Sequence, residues 1–347
     1  MLTGDVARWF VWLVAFAWGA AWGSFFNVAI YRWPRGMSVV TPPSHCPGCG
    51  APIRVWNNVP ILGWLFLRGK ASCCGASISP RYPMVELLAA VLCVAIAENW
   101  IVQAEPGTLL LQATIETLLY FVFAGGLLIA TFVDLEWMEI PDEVSLPCAA
   151  LGLLSAPFRM EPGVWSAAVG AGAAYLFVQL IFVWGYERIA GRRGMGEGDS
   201  KLLLMIGAFL GWKGAIFSVV AGSVQGLVFA AFALVTGRKL TPDIEERVID
   251  GEMIEAPEEP EASRVGVLKL PFGPFLALGA LEYLLAGDTI LSWYFGLLQR
   301  LTTSVGNRHH HRRRRPAAHA QGRRGWCDRQ ARRRPSGRGP LQRPLLS

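Results

Sequence analysis

Residues 118–142 read LLYFVFAGGLLIATFVDLEWMEIPD, and this stretch decides the fold class. It belongs to an apolar run over Leu109 to Val133, which as a helix is long enough to cross the ~30 Å hydrocarbon core of a bilayer. The acidic segment Asp134 to Asp142 follows at once. A carboxylate at the edge of an apolar span is costly to keep, so this segment suggests a functional site.

Seven further stretches have the same apolar character. The chain has 347 residues, of which 53% are hydrophobic, and its mean hydropathy is +0.37, so it is too apolar for an ordinary soluble domain. We predict an all-α, polytopic membrane protein with about eight transmembrane helices and a cytoplasmic cysteine-containing loop. The spans are Trp9 to Ile30, Met84 to Ala104, Leu109 to Val133, Val144 to Phe158, Val164 to Tyr186, Leu202 to Gly211, Ala215 to Thr236 and Leu270 to Leu285.

The topology follows from the loop Arg32 to Pro83, which contains six basic residues and no acidic residue. Loops of this kind stay in the cytoplasm, so the N-terminus is expected outside. Counting alternately through eight spans places Asp134 to Glu143 and Glu187 to Ser200 on the cytoplasmic side as well. The two acidic motifs should therefore lie at the same face of the membrane.

The second of these motifs is Gly194-Met195-Gly196-Glu197-Gly198-Asp199, which runs into the apolar segment Leu202 to Leu210. Its glycines allow close approach of an extended substrate and permit positive φ angles. If Asp134 and Asp199 meet, they can share a proton, so that one acts as a base toward water while the other donates to a carbonyl oxygen. Peptide hydrolysis needs such a pair and no cofactor.

The residues alone leave structural alternatives open. Asp134 would equally end a helix facing water, Asp199 would suit the N-terminal end of the next helix, and Asp142 after Pro141 is expected as an N-cap. Histidine usage nevertheless narrows the hydrolytic schemes, because His45 is the only histidine outside the C-terminal tail. Catalytic triads and His-Glu-x-x-His metal sites are therefore hard to assemble.

The loop also carries clustered cysteines, which indicate a structural metal site, with zinc as the expected ion. Cys46-Pro-Gly-Cys49 forms a metal-binding knuckle, and Cys73-Cys74 follows 24 residues after Cys49. Because the second pair is adjacent, one expected ligand is missing. We predict Cys46, Cys49 and Cys74 as ligands, with Cys73 or His45 as the fourth; reduced or crosslinked thiols are the alternative.

The net charge of +6 comes from the C-terminal tail. Residues 307–347 contain 13 Arg and one acidic residue, Asp328, so the rest of the chain is acidic. This distribution removes the argument for nucleic-acid binding. Residues 301–347 are predicted to be a disordered basic tail, and the acidic segment 241–263 to be a flexible linker.

Five motifs in order resemble the bacterial type IV prepilin peptidases over about residues 20 to 285. They are Gly23-Ser24-Phe25-Phe26-Asn27-Val28 with Arg32-x-Pro34, the cysteine loop ending Ile78-Ser79-x-Arg81-Tyr82-Pro83-x-Val85-Glu86, Asp134 with Ile140-Pro141-Asp142, Gly194-x-Gly-x-Gly-Asp199-x-Lys201, and Pro271-Phe272-Gly273-Pro274. One departure is Ala71, which stands where the third cysteine of the family would be.

The resemblance implies a bifunctional enzyme of the Gly-x-Gly-Asp aspartyl protease class in the bacterial inner membrane. It would remove the basic leader from prepilins and pseudopilins, for pilus assembly or type II secretion, and methylate the new N-terminus with S-adenosylmethionine. By motif, Asp134 and Asp199 are the catalytic pair, and Gly194, Gly196, Gly198, Pro141 and Asp142 form the supporting turn. Gly23, Ser24, Asn27 and Arg32 are assigned to the methyltransferase part.

We therefore divide the chain into a first helix (1–31), a cytoplasmic zinc-binding and methyltransferase part (32–83), an aspartyl peptidase domain (84–300) and the tail (301–347). The expected partners are prepilins, pseudopilins and the bilayer, and the oligomeric state is not predicted. Two other functions use the same residues. An ion-coupled transporter would employ the intramembrane aspartates, although the chain shows no internal repeat. A cysteine-rich redox or metal-handling protein would employ the thiols.

Overall fold

The computed structural model describes residues 2–46, 48–159, 161–191, 195–236, 248–249, 252–253 and 271–313. The chain is built from α-helices, which confirms the predicted fold class, and one short antiparallel pair of strands, β1 (Val248–Ile249) and β2 (Glu252–Met253), lies within these residues. The helices are α1 (Arg8–Arg32), α2 (Leu62–Phe66), α3 (Arg81–Ala97), α4 (Leu110–Trp137), α5 (Asp142–Ser155), α6 (Val164–Phe177), α7 (Tyr186–Ala190), α8 (Glu197–Thr236) and α9 (Gly273–Arg313).

Two π-helical segments extend this set. Glu98–Val102 continues α3, and Val178–Gly185 joins α6 to α7. The helix α9 runs to Arg313, beyond the predicted start of the tail at residue 301, while the tail from residue 314 and most of the acidic segment lie outside the described residues.

Five helical stretches in the described part of the chain are long and apolar enough to cross a membrane. They are Arg8–Arg35, Arg81–Val102, Leu110–Trp137, Val164–Ile189 and Glu197–Thr236. This describes a multi-pass membrane protein, but it does not confirm the predicted number of eight. Three features explain why five spans are found and not eight. The helix α5 has only 14 residues, the apolar part of α9 is the short stretch Gly273–Gly287, and two predicted spans fall within α8.

Gly211 interrupts α8 at the point where the sequence separates these two spans. Its φ of 70° and ψ of −175° are not helical, so 197–210 and 212–236 are distinct helical segments. Glycine adopts this positive φ without the steric cost that a side chain would add.

The first helix packs on α3 through two glycines spaced four residues apart. A methyl group at Gly19 would lie 2.6 Å from the carbonyl oxygen of Ala89, and one at Gly23 would lie 2.6 Å from the Cα of Glu86. Lipid is as apolar as most of these side chains, so helices in membranes associate through close packing of small residues such as these.

The core lies between α4 and the first segment of α8. The rings of Phe123 and Phe209 stack with centroids 4.6 Å apart, and Leu202, Leu203 and Ile206 are buried beside them. This packing fixes the segment that begins at Glu197 against α4.

A buried arginine binds carbonyl groups near the C-terminal ends of α5 and of the first segment of α8. Arg159, which is 5% exposed, donates to the carbonyl oxygens of Gly152 in α5 (2.7 Å) and of Ala208 (3.0 Å) and Phe209 (2.9 Å) in α8. The last carbonyls of a helix lack backbone partners within the helix, so Arg159 supplies donors to these groups, of which that of Gly152 also accepts from the Ser155 hydroxyl at 3.2 Å.

Candidate active site and metal centre

Asp134 lies on the last turn of α4 and is 6% exposed. The helix ends just beyond it, because Met138 adopts a left-handed conformation and its N–H bonds to the carbonyl oxygen of Asp134. The N–H of Gly273, at the start of α9, donates to Oδ2 of Asp134 at 3.0 Å. A methyl group at Gly273 would lie 2.6 Å from the same oxygen, so only glycine allows this approach.

Asp199 lies on the first turn of α8 and is 9% exposed. A methyl group at Gly196 would lie 3.5 Å from Oδ2 of Asp199, so the glycine turn borders this carboxylate, and the positive end of the helix dipole favours a negative charge there. Asp134 and Asp199 lie in one region of the structure, because Gly198, next to Asp199, and Gly273, which binds Asp134, both border Ile140. The structure therefore brings together the two aspartates that the sequence selected.

Ile140 joins the segments that carry these two aspartates. Its side chain lies 3.0 Å from the methyl position of Gly198 and 3.2 Å from that of Gly273. The small glycines allow the backbone of both segments to lie against this buried residue. Sequence reasoning quoted Ile140 only as part of a motif, and a contact of this kind gives no local signal.

The rest of the predicted supporting turn differs from expectation in two details. Gly194 lies outside the described residues, while Gly196 and Gly198 are in place. Pro141, not Asp142, is the N-cap of α5, since the restricted, extended backbone of proline precedes the helix. Asp142 instead accepts from Nζ of Lys201 at 2.6 and 2.7 Å, which ties the start of α5 to the start of α8.

Three of the four residues assigned to methylation lie where α1 meets the start of α3. Gly23 allows the helices to approach closely at the buried Glu86, and Ser24 follows it on α1. Asn27 donates from Nδ2 to the carbonyl oxygen of Tyr82 at 3.0 Å, but its buried Oδ1 has no hydrogen-bond partner in the described part of the chain. Sequence reasoning missed Glu86 as a member of this group.

Arg32 and Glu86 both bind the backbone of the loop between α1 and α3. The buried Arg32 donates to the carbonyl oxygens of Ser38 (2.9 Å) and Pro42 (2.8 Å), and Glu86 accepts from the N–H of Ile61 at 2.6 Å. Arg32 therefore lies apart from the other three assigned residues, and its contacts are those of a residue that shapes the loop.

An ion pair connects this loop region to the aspartate site. Arg81, the first residue of α3, pairs with Glu136, which lies two residues after Asp134 on the last turn of α4. The base of the loop and the end of α4 are thereby held together.

The four cysteines of the loop converge. The sulfur atoms of Cys46, Cys49, Cys73 and Cys74 all lie within 4.8 Å of one another. Cys46 and Cys74 are 3.6 Å apart, Cys49 and Cys73 3.3 Å, and Cys73 and Cys74 3.9 Å. Zinc bound tetrahedrally by thiolates needs sulfur separations of about 3.8 Å, so this set fits the ion. His45 is not in the group; its Nδ1 lies 3.1 Å from the carbonyl oxygen of Pro43.

The turn around Cys46 also favours the thiolate form of this cysteine. Backbone N–H groups of Gly48 and Cys49 point at the sulfur of Cys46 and lower the pKa of this thiol to about 6. The hydrogen bond with Cys49 raises the pKa of the Cys73 thiol to about 12. Metal ligands must be deprotonated, so Cys46 is the ready ligand, and a bound cation would deprotonate the others.

Two family models match successive parts of the chain. A family described as "Bacterial Peptidase A24 N-terminal domain" matches residues 17–100, and the "Type IV leader peptidase family" matches residues 121–231. The first match contains the cysteine loop, and the second contains both aspartates.

Several curated relatives carry the name prepilin leader peptidase/N-methyltransferase. The chain is 33% identical to that of Aeromonas hydrophila over 313 residues, which cover 82% of this chain and 94% of the relative. It is 30% identical to that of Pseudomonas aeruginosa over 295 residues (78% and 89%) and 38% identical to that of Klebsiella pneumoniae over 201 residues (56% and 83%). No solved structure matches the chain. The extent of these similarities shows that the chain belongs to the type IV leader peptidase family.

Proposed function

We propose that this protein is a membrane-embedded aspartic endopeptidase that removes the leader peptide from type IV prepilins and pseudopilins, with Asp134 and Asp199 as its catalytic pair. The observation that carries the proposal is that two buried aspartates, 65 residues apart in the chain, lie on segments that both border Ile140, with the N–H of Gly273 donating to Asp134. The names of the relatives support the substrate class.

The chemistry follows from this arrangement. Two neighbouring carboxyl groups share one proton, so one is ionised and the other is protonated. The ionised group takes a proton from water as the water oxygen attacks the scissile carbonyl, and the protonated group donates to the carbonyl oxygen. Collapse of the tetrahedral adduct breaks the C–N bond, and the nitrogen of the new N-terminus leaves with a proton from the pair. The N–H of Gly273 keeps the carboxyl group of Asp134 oriented.

The basic loop Arg32 to Pro83 supports a bacterial inner-membrane location in which the aspartates face the cytoplasm. Two exposed acidic residues, Glu139 and Glu143, flank the start of α5. They would attract a leader of positive charge, and its approach from the cytoplasm fits the proposed orientation.

We further propose that the protein methylates the new N-terminus. S-adenosylmethionine would supply an electrophilic methyl group, which the amine nitrogen would take as its bond to sulfur breaks. This donor carries positive charge, and the unpartnered Oδ1 of Asn27 and the nearby carboxylate of Glu86 offer acceptors that fit it. Gly23, Ser24 and Arg32 would shape this part, which extends into the loop 32–83, while 84–300 would form the peptidase domain.

The cysteine group would hold a structural zinc ion. Cys46, Cys49, Cys73 and Cys74 supply four sulfur atoms at suitable separations. Such an ion would crosslink the loop, which has little core of its own. The transporter alternative has no support among the relatives, whose names describe peptidases and methyltransferases.

The test is leader removal by purified protein reconstituted in vesicles with a prepilin substrate. Asp134→Asn and Asp199→Asn should each abolish cleavage, whereas the control Glu105→Gln, which removes an exposed carboxylate outside the helices, should cleave like the wild type. Cleavage that survives in both aspartate variants would refute the mechanism.

Methylation is followed separately, as labelled methyl transfer to a mature pilin N-terminus. Asn27→Ala and Glu86→Gln should reduce transfer while leader removal continues. Unchanged transfer in both variants would remove this residue group from the proposed methyltransferase part.

A further inference from the structure

The first cysteine turn has a simple hydrogen-bond pattern. The N–H of Cys46 donates to the carbonyl oxygen of Ala51, and the N–H of Gly50 donates back to the carbonyl oxygen of Cys46, both at 2.8 Å. Gly50 has a φ of +69°, and a β-bridge between His45 and Pro52 closes the turn.

The second cysteine turn repeats this pattern 25 residues later. The N–H of Ala71 donates to the carbonyl oxygen of Ala76, and the N–H of Gly75 donates back to Ala71, again both at 2.8 Å. Gly75 has a φ of +70°, and a β-bridge between Lys70 and Ser77 closes this turn. The two turns are structural copies, although their cysteine spacing differs.

The copies define which positions correspond. Cys74 stands where Cys49 stands in the first turn, and Ala71 stands at the place of Cys46, so the second turn has no cysteine at its first position. Cys73 corresponds to Gly48. A methyl group at Gly48 would lie 3.4 Å from the sulfur of Cys74 and 3.9 Å from that of Cys46, so this third position faces the sulfur group.

We propose that the second turn has retained its share of a four-sulfur site by moving one ligand two positions along the chain, from residue 71 to Cys73. This inference rests on the proposed metal site and specifies its unusual ligand set. The neighbouring ligands Cys73 and Cys74 have sulfur atoms 3.9 Å apart, close to the ~3.8 Å separation of two ligands on tetrahedral zinc. Adjacent cysteines can therefore bind the same ion, and His45 is not needed.

The test exploits the correspondence between the turns. Full-length protein in detergent is prepared as wild type, Cys73→Ser, His45→Ala and the double variant Ala71→Cys with Cys73→Ser. Zinc content is measured by mass spectrometry, zinc affinity by chelator competition, and the number of thiolates from the charge-transfer absorption of bound cobalt(II).

The wild type and His45→Ala should bind one zinc ion with equal affinity. Cys73→Ser should raise the dissociation constant at least about 100-fold and weaken the cobalt absorption, because one of four thiolates is lost. The double variant should recover the zinc affinity and the cobalt absorption, since residue 71 in the second turn corresponds to Cys46 in the first. Leader removal by each variant shows that the membrane part is folded.

Wild-type affinity in Cys73→Ser, or a double variant that fails to recover, would overturn the ligand relocation while leaving a metal site in place. A wild-type protein that binds no zinc would overturn the metal site and the relocation together. Either result is independent of the peptidase, which needs no metal.

Discussion

Replacing Gly273 by alanine should disable the aspartate pair while leaving the protein folded. The added methyl group would lie 2.6 Å from Oδ2 of Asp134 and 3.2 Å from its Cγ. Non-bonded atoms of this kind settle at about 3.5 Å or more, so the carboxyl group must move by roughly 1 Å. The same movement stretches the 3.0 Å hydrogen bond from the N–H of Gly273.

Two independent estimates give the expected loss of cleavage rate. A reacting group misplaced by ~1 Å costs on the order of 100-fold in rate. A hydrogen bond to a charged group is worth about 1.5–3 kcal/mol, which corresponds to roughly 10- to 150-fold in rate. Both describe one displacement, so they are not multiplied. We expect kcat for leader removal to fall about 100-fold.

The assay compares initial rates of prepilin cleavage for the wild type, Gly273→Ala and Gly172→Ala, with thermal unfolding in detergent for each. A methyl group at Gly172, in α6, would meet no atom within 4 Å, so this variant controls for glycine replacement in a helix. A Gly273→Ala protein that cleaves at the wild-type rate would refute the role given to this contact. A Gly273→Ala protein that loses thermal stability as well as activity would show that the contact serves folding.

Three further predictions concern other contacts. Arg159→Met should lower the free energy of unfolding in detergent by at least about 2 kcal/mol, because the buried carbonyls of Ala208 and Phe209 lose their donor, and unchanged thermal unfolding would contradict this. Gly19→Val should lower it by about 1–3 kcal/mol in the same assay, since its Cβ would meet Ala89 at 2.6 Å; a variant as stable as the wild type would show that α1 and α3 can separate. Lys201→Met should change the cleavage rate less than about 5-fold, because the partly exposed ion pair with Asp142 is worth about 0–1 kcal/mol; a larger loss would give Lys201 a role at the site.

The helical part of the fold was open to prediction because apolar runs of about 20 residues have few alternatives in a membrane. The number of spans was not. The 14 residues of α5 are too few for an ordinary span, and α8 contains two predicted spans with a single non-helical residue between them. Neither the short length nor the backbone angles at Gly211 follow from hydropathy.

Part of the candidate site was likewise open to prediction from the sequence, and part was not. Counting membrane crossings predicted that Asp134 and Asp199 share a face of the membrane, since charge in the loops indicates which ends lie together, but it could not predict the distance between the two carboxyl groups. The contact with Gly273 lies 139 residues from Asp134 in the chain, and no local pattern indicates it. The choice of Cys73 over His45 likewise required the folded second turn, because the linear spacing of the cysteines departs from a regular pair of knuckles.

The helix α5 and the first segment of α8, whose last carbonyls bind Arg159, are short, and this has a consequence for the surrounding lipid. At about 1.5 Å per residue, the 14 residues of α5 reach only ~21 Å, and the part of α8 before Gly211 is no longer. Even upright, such helices fall ~9 Å short of a ~30 Å hydrocarbon core. Leu146 and Leu154 of α5 are exposed, so the bilayer beside this helix would thin to match its length. Longer acyl chains make this deformation more costly, so membrane thickness becomes one of the factors that set the stability of this protein and the membrane region it occupies.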